Sequence, residues 1–406
     1  MSFLGLRHCF EIKYSRAPQY LAVIPVDFQN FDSVWCASCC RDCDYWLWLP
    51  LTVPSRRYQF YSTFTIWPKE IRSDLRAGVK AKHYKDFDMS ERYISRAWET
   101  AQTLPIAVYG PEPHLKLTGI LITLGEVMEL NGKPHQAYEL MSNYLDNLPP
   151  LDEERTYDEW SGAERVRLAA MAHKLGLMAE TYSRPQKEEE KWHTWAVERA
   201  LKDIRHANET SDRSNSKPGT GAIQPLHELE LPDWVSRSDL LVLLESLGEF
   251  HARTDKTSLA ITLYNQVLAV LVADFGDRTK LKSICRAAQI FSNRSELYCR
   301  PSLSKEGNVP SEVLLQGAES SALSALKLIA FVHDNPDPNQ DTSACETTFG
   351  VAMANLATIN TIKGDMDMAR KLYETALKHA VKTGNKDQIR HIRGLLLEAE
   401  RVKEKG

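Results

Sequence analysis

One stretch, Leu117 to Pro149, limits what this chain can fold into. LTGILITLGEVMELNGKPHQAYELMSNYLDNLP reads as two helices of similar length around a turn at Asn131-Gly132-Lys133-Pro134. Counted from Thr118, Leu121 is fourth, Leu124-Gly125 are seventh and eighth, Ala137 is twentieth and Pro149 is thirty-second. Small residues fall where two helices have to touch, at Gly125 and Ala137, and a missing side chain lets backbones approach. Pro149 closes the unit, because proline has no amide donor for a helix interior. A pair of this size buries its apolar faces only against further pairs, so the pattern has to recur.

It does recur. The stretch from Ile71 carries Ala77-Gly78, Ser90, Ala97 and a closing Pro105. The next copy after Thr118 begins near Ala163, with Leu175-Gly176 and Ala179, then Val197, Leu201 and Ile204 in its second helix. A fourth copy has Leu247-Gly248, Ala260, Tyr264 and Val267; a last clear copy has Leu356-Ala357, Gly364-Asp365, Ala369, Tyr373 and Ala376. Between them the spacing predicts a divergent pair, a helix around Thr279 to Phe291 and another from Ser311 to His333. This is the register of the tetratricopeptide repeat (TPR), a helix-turn-helix of about 34 residues. The expected fold is all-α, a TPR-type solenoid winding into a right-handed superhelix of about six to seven repeats. A polar last helix, DQIRHIRGLLLEAERVKEKG, caps it.

The expected organisation has four parts. Residues 1–66 are a largely disordered leader or degenerate membrane anchor, 67–205 hold repeats 1–3, 206–232 are a flexible polar insertion, and 233–406 hold repeat 4 onward. The leader contains CASCCRDC, with Cys36, Cys39, Cys40 and Cys43 inside eight residues. Structural zinc sites separate their ligand pairs by a longer loop, so a metal is the lesser reading there. Acylation of the thiols is a second reading, and an unstructured leader a third. The apolar runs Tyr45 to Pro54 and Tyr58 to Trp67 are separated by Arg56-Arg57. Each falls short of the roughly 20 residues a spanning helix needs. The remaining cysteines, Cys285, Cys299 and Cys345, stand far apart and do not suggest a disulfide framework.

A formal net charge of −4 gives no general attraction to nucleic acid. Catalytic signatures are missing: there is no His-Glu-x-x-His, no Gly-x-Ser-x-Gly and no Gly-rich nucleotide loop. Gly219-Thr220-Gly221 follows no strand, and His227-Glu228 has no second histidine at helical spacing. His114 and His135 are dispersed and read as surface or packing residues, and Trp98, Trp160, Trp192, Trp195 and Trp234 lack an accompanying basic stripe, so they read as inter-helix packing. The chain is therefore expected to be no enzyme, with no cofactor, no metal and no nucleic-acid partner.

In a repeat of this kind the first helices line the inner wall. Projecting their second, fifth, ninth and twelfth positions selects Glu126 and Glu129, then His173 and Glu180, then Glu245 and Glu249. These six are the candidate partner-binding residues, forming a mildly acidic wall suited to a basic or extended polypeptide. The competing reading is that glutamate is a good helix former on a solvated face.

Four longer stretches resemble a more specific family. They are WPKEIRSDLRAGVKAKHYKDFDMSERYISRAWETA, GPEPHLKLTGILITLGEVMELNGKPHQAYELMSNYLDNLP, DEERTYDEWSGAERVRLAAMAHKLGLMAE and GDMDMARKLYETALKHAVKTGN. From Trp67 to the C-terminus the chain is similar to the fungal TPR adaptor subunit of the mitochondrial inner-membrane i-AAA protease supercomplex. The resemblance implies a non-catalytic protein with an N-terminal targeting region and one membrane span. It implies a TPR array in the intermembrane space that binds unfolded polypeptides and presents them to the protease. The chain departs from that family where the span belongs, because Pro50, Pro54 and Arg56-Arg57 break it. The alternative is a co-chaperone or assembly scaffold for a respiratory or cytosolic complex. A chaperone-type carboxylate clamp needs Lys and Asn on successive first helices, where the first repeat has Leu75 and Val79.

Overall fold

The computed structural model describes residues 67–148, 160–215, 231–273, 280–300, 303, 311–338 and 340–405. The cysteine-rich leader, its apolar runs, Pro149, Gly219 to Gly221 and His227-Glu228 lie outside the described residues. Thirteen α-helices and one 3-10 turn account for the described secondary structure, and no strand occurs among the described residues. In chain order they are α1 (Lys69–His83), α2 (Phe87–Thr103), α3 (Pro113–Leu130), α4 (Pro134–Asp146), α5 (Gly162–Thr181), α6 (Gln186–Asn215), α7 (Arg237–Arg253), α8 (Thr257–Ala273), α9 (Leu281–Tyr298), α10 (Glu312–Asp334), α11 (Ser343–Lys363), α12 (Met366–Thr383) and α13 (Lys386–Lys405). The 3-10 turn, Ile106–Tyr109, lies between α2 and α3. The chain divides into two compact units, one running to Trp192 and one from His193 onward.

Each unit is built by packing neighbours in sequence. In the first, α1 packs on α2, α2 on α3, α3 on α4 and α4 on α5, and α3 also touches α5. In the second, the same chain of contacts runs from α7 to α13, with α9 also touching α11 and α11 touching α13. At α3/α5, α9/α11 and α11/α13 the first helix of one pair therefore meets the next directly, the arrangement in which each repeat buries its apolar face on its neighbour. Both units are TPR-like.

One turn closes five helix pairs and recurs at Gly384 between α12 and α13, where the Asn385 amide donates to the Ala380 carbonyl. Taking Ile71, Thr118, Ala169, Leu241 and Gly350 as first residues, the fifteenth residue is Lys85, Gly132, Ser183, Asp255 and Gly364, and all five have positive φ. The amide of the sixteenth donates each time to the carbonyl of the eleventh: Asp86 to Ala81, Lys133 to Met128, Arg184 to Ala179, Lys256 to His251 and Asp365 to Asn360. This left-handed closure satisfies carbonyls that the ending helix leaves without partners. Lys85, Ser183 and Asp255 hold a conformation costing an L-residue roughly 1 kcal/mol, so the packing of the pair outweighs the local preference. Asp86 and Asp365 then cap the next helix, accepting from the amides of Met89 and Met368. Such caps contribute about 1 kcal/mol each.

Small residues sit at the crossings. A side chain on Gly78 would overlap Ile94, and a Cβ on Gly248 would lie 2.7 Å from Tyr264 Cε1. At the twentieth position the first pair uses Ser90, whose hydroxyl donates to the Gly78 carbonyl at 2.8 Å, so a polar residue is satisfied inside the contact. Ala137, Ala260 and Ala369 occupy that place in other pairs and are fully buried. The pair α5/α6 has Glu188 there.

The second unit contains what the sequence did not suggest. Cys285 on α9 and Cys345 on α11 form a disulfide across 60 residues, with Cα atoms 4.9 Å apart. This corrects the expectation that the three later cysteines stand isolated. The physical reason is the stacking of first helices, which brings α9 beside α11 whatever their separation in sequence. Cys299 alone is free among the described cysteines. A second difference is that α6 continues to Asn215, past the residue-205 boundary expected for the third repeat.

Candidate functional site

The six candidate residues all lie on first helices, four in the first unit and two in the second. Glu126 on α3 accepts from Lys82 on α1 at 2.8 Å. Glu129, one turn further, accepts from Lys174 on α5 at 2.5 Å and from the Tyr182 hydroxyl at 3.3 Å. In the second unit Glu245 on α7 pairs with Arg286 on α9 at 2.5 Å. Three of the selected carboxylates thus face a cation from a neighbouring pair. Pairs of this kind offset the local acidity of these first helices. At partly exposed sites each such pair contributes about 0–1 kcal/mol.

The other three differ in setting. His173, the residue before Lys174, is 8% exposed, so its ring is mostly packed between neighbours. Glu180 is exposed near the end of α5, and Glu249 is half-buried on α7. The structure brings Glu129 to α5 through Lys174, and keeps Glu126 and Glu129 on one stripe of α3.

Second helices carry a parallel ladder in the first unit. Lys133 at the start of α4 pairs with Glu91 on α2 at 2.8 Å, and Lys191 on α6 pairs with Asp146 at 2.6 Å. Arg184 bridges Glu139 of α4 and Glu188 of α6. Here lies a polar junction that the sequence analysis missed. The Trp192 indole donates to the Tyr138 hydroxyl at 2.8 Å, and the Glu188 carboxylate acts on the same phenol. Burial first, and the Glu188 carboxylate second, push the Tyr138 phenol up to about 12, so it stays a neutral donor. The signal was available: Glu188 occupies the twentieth position, where a small residue belongs.

Another junction fixes how α3 and α5 begin. The buried Glu164 carboxylate accepts from the Ser161 amide in a capping box, and its second oxygen accepts from the amides of His114 and Leu115 on α3. A single carboxylate therefore neutralises two helix N-termini, the position at which a negative charge is favoured. His114 stacks on Trp160 with centroids 3.6 Å apart. Trp98, Trp160 and Trp192 are all buried, as packing residues would be.

No group of three or more potential metal ligands occurs among the described residues. No helix among them is long and apolar enough to cross a membrane.

No protein-family model matches the sequence, and no curated protein matches it. Among solved structures the chain is similar to BtubC (BKLC) from P. vanneervenii. That match has 14% identity, covers 74% of this chain and 92% of that one, and has a TM-score of 0.44. It is also similar to a tetratricopeptide repeat protein from Parabacteroides merdae ATCC 43184, at 10% identity over 81% of this chain and 100% of that one, with a TM-score of 0.30. Likenesses this distant carry no argument about function.

Proposed function

We propose that this chain is a non-catalytic adaptor that holds unfolded polypeptide segments on the first helices of its repeats. In this reading it delivers them to the i-AAA protease of the mitochondrial inner membrane. The observation that carries the adaptor part is the five-fold repetition of one helix-pair turn, with first helices stacked on first helices. Repeats stacked this way present long continuous surfaces to protein partners. The protease and the compartment rest on the four resembling stretches from Trp67 to the C-terminus.

In this reading each unit carries its own client wall: Glu126, Glu129 and Glu180 in the first, with the mostly buried His173 packing beside them, and Glu245 and Glu249 in the second. Because the carboxylates of Glu126, Glu129 and Glu245 are paired, the wall selects extended backbone and mixed side chains more than positive charge. Tagged full-length protein purified from gently solubilised mitochondria is expected to bring down AAA protease subunits together with non-native polypeptides. Recovery of the protein from the cytosol, with no protease subunit attached, would leave the co-chaperone or scaffold alternative standing instead.

A further inference from the structure

We propose that Cys285–Cys345 is a structural disulfide acquired in an oxidising compartment, and that it holds α9 to α11 where the recurring left-handed turn is missing. The inference stands apart from the client-binding reading and needs none of its residues.

Both cysteines are completely buried, within a cluster formed by Leu281, Ile284, Ala288, Ala325 and Ile329. Their Cα separation of 4.9 Å falls within the range that bridged cysteines adopt. The surroundings hold the same two segments together. The Leu281 amide, opening α9, donates to Gln340 Oε1 at 2.7 Å, just before α11 begins.

The location is what gives the bridge its meaning. Five pairs close with the same left-handed turn between their two helices. The pair α9/α10 does not: residues 299–311 separate α9 from α10, and residues 335–342 separate α10 from α11. Longer connections cost more closure entropy, and a covalent link across them removes that cost from the unfolded chain. The bridge spans both connections at once. It supplies by a bond what the other pairs obtain from a tight turn.

Forming it requires a two-electron oxidant, here the disulfide of a thiol–disulfide oxidoreductase. One cysteine thiolate attacks that disulfide and releases one oxidant thiol, leaving a mixed disulfide. The second thiolate attacks the mixed disulfide at the cysteine sulfur and releases the other oxidant thiol. Two protons leave the cysteines, and two electrons reduce the oxidant to its dithiol. Bridges of this type persist in oxidising compartments and are rare where glutathione keeps thiols reduced. The bond therefore assigns the second unit to an oxidising environment.

The test uses the full-length chain isolated from its own cells, quenched in acid and blocked with N-ethylmaleimide without reductant. Proteolysis and mass spectrometry are expected to yield a linked pair of peptides containing Cys285 and Cys345, which separates on reduction. Finding both cysteines carrying maleimide would overturn the proposal. In thermal unfolding, reductant is expected to lower the midpoint of the oxidised chain by roughly 10 °C. The variant Cys285→Ser/Cys345→Ser should start at the lower midpoint and ignore reductant, while Cys299→Ser should keep the full response. If the double variant does not fold, peptide mapping and the reductant response of the natural chain decide alone. An unchanged midpoint under reductant would also overturn the proposal. Loss of client binding with the bridge intact would count against the adaptor reading and leave this one untouched.

Discussion

The pairs α3/α4 and α9/α10 solve the same packing problem by different means. In α3/α4 the helices are joined by a short turn whose Gly132 holds the left-handed conformation, and Gly125 lets them approach to where Met141 fills the gap. Ion pairs then tie that pair to its neighbours, Lys82 to Glu126 and Lys174 to Glu129. In α9/α10 the connection is long, and the helices are knitted by small buried groups. Ser295 donates to the Ala318 carbonyl at 2.8 Å, Asn355 of α11 donates to the Ser292 carbonyl at 2.9 Å, and a disulfide ties α9 to α11. Many weak, exchangeable contacts hold the first region, and one covalent bond with a buried polar lattice holds the second. The lesson is that a divergent repeat is kept in the stack by compensation, not by tolerance of poor packing.

The largest expected effect breaks the second arrangement. Removing the disulfide should cost about 4 kcal/mol, from the chain-entropy value for a loop of this order. Hydrogen exchange should show protection falling in α9 and α11 while α1 to α4 stay unchanged. Uniform loss of protection in both regions would erase the contrast. Next comes Gly78→Val, which forces a branched side chain into the space of Ile94; overpacking there should cost about 2–3 kcal/mol in denaturant unfolding. The matched Gly317→Ala places its Cβ 3.6 Å from Tyr298, an ordinary contact, and should change stability by under ~0.5 kcal/mol. Tyr138→Phe, which leaves the Trp192 indole without its acceptor, should cost about 1–2 kcal/mol by the same measurement. The smallest effect belongs to the ladder. A double-mutant cycle on Lys82→Ala and Glu126→Ala should give a coupling of about 0.2–1 kcal/mol that fades with added salt. A coupling several times larger would show that the ladder, not the turns, holds the first region.

Much of the fold was legible because its signals are local and periodic. Gly78, Gly125, Gly248 and Ala357 mark close approaches, and Gly132 and Gly364 mark left-handed turns. Lys85, Ser183 and Asp255 adopt the same turn without a glycine to announce it, because packing of the pair overrides the preference of the residue. The disulfide was hidden for a different reason. It depends on which helices stack, and a separation of 60 residues carries no local trace. The ion pairs along the first helices were half legible. Helical periodicity picked out Glu126, Glu129 and Glu245, yet their cations lie 41 to 45 residues away, about one repeat or slightly more, and only the stacking joins them. Glu188 lies in the first turn of α6, where an acid favours the helix, and pairs locally with Arg184, but the Tyr138 it acts on comes from the neighbouring pair.

The adaptor claim is tested most directly by placing a photo-crosslinking amino acid at Glu126, at Glu245 and at the exposed Glu99 on α2 of the full-length chain, then irradiating with a radiolabelled unfolded polypeptide. The account predicts client adducts from the two first-helix positions and none above background from Glu99. Equal labelling at all three positions, or adducts from Glu99 alone, would contradict it.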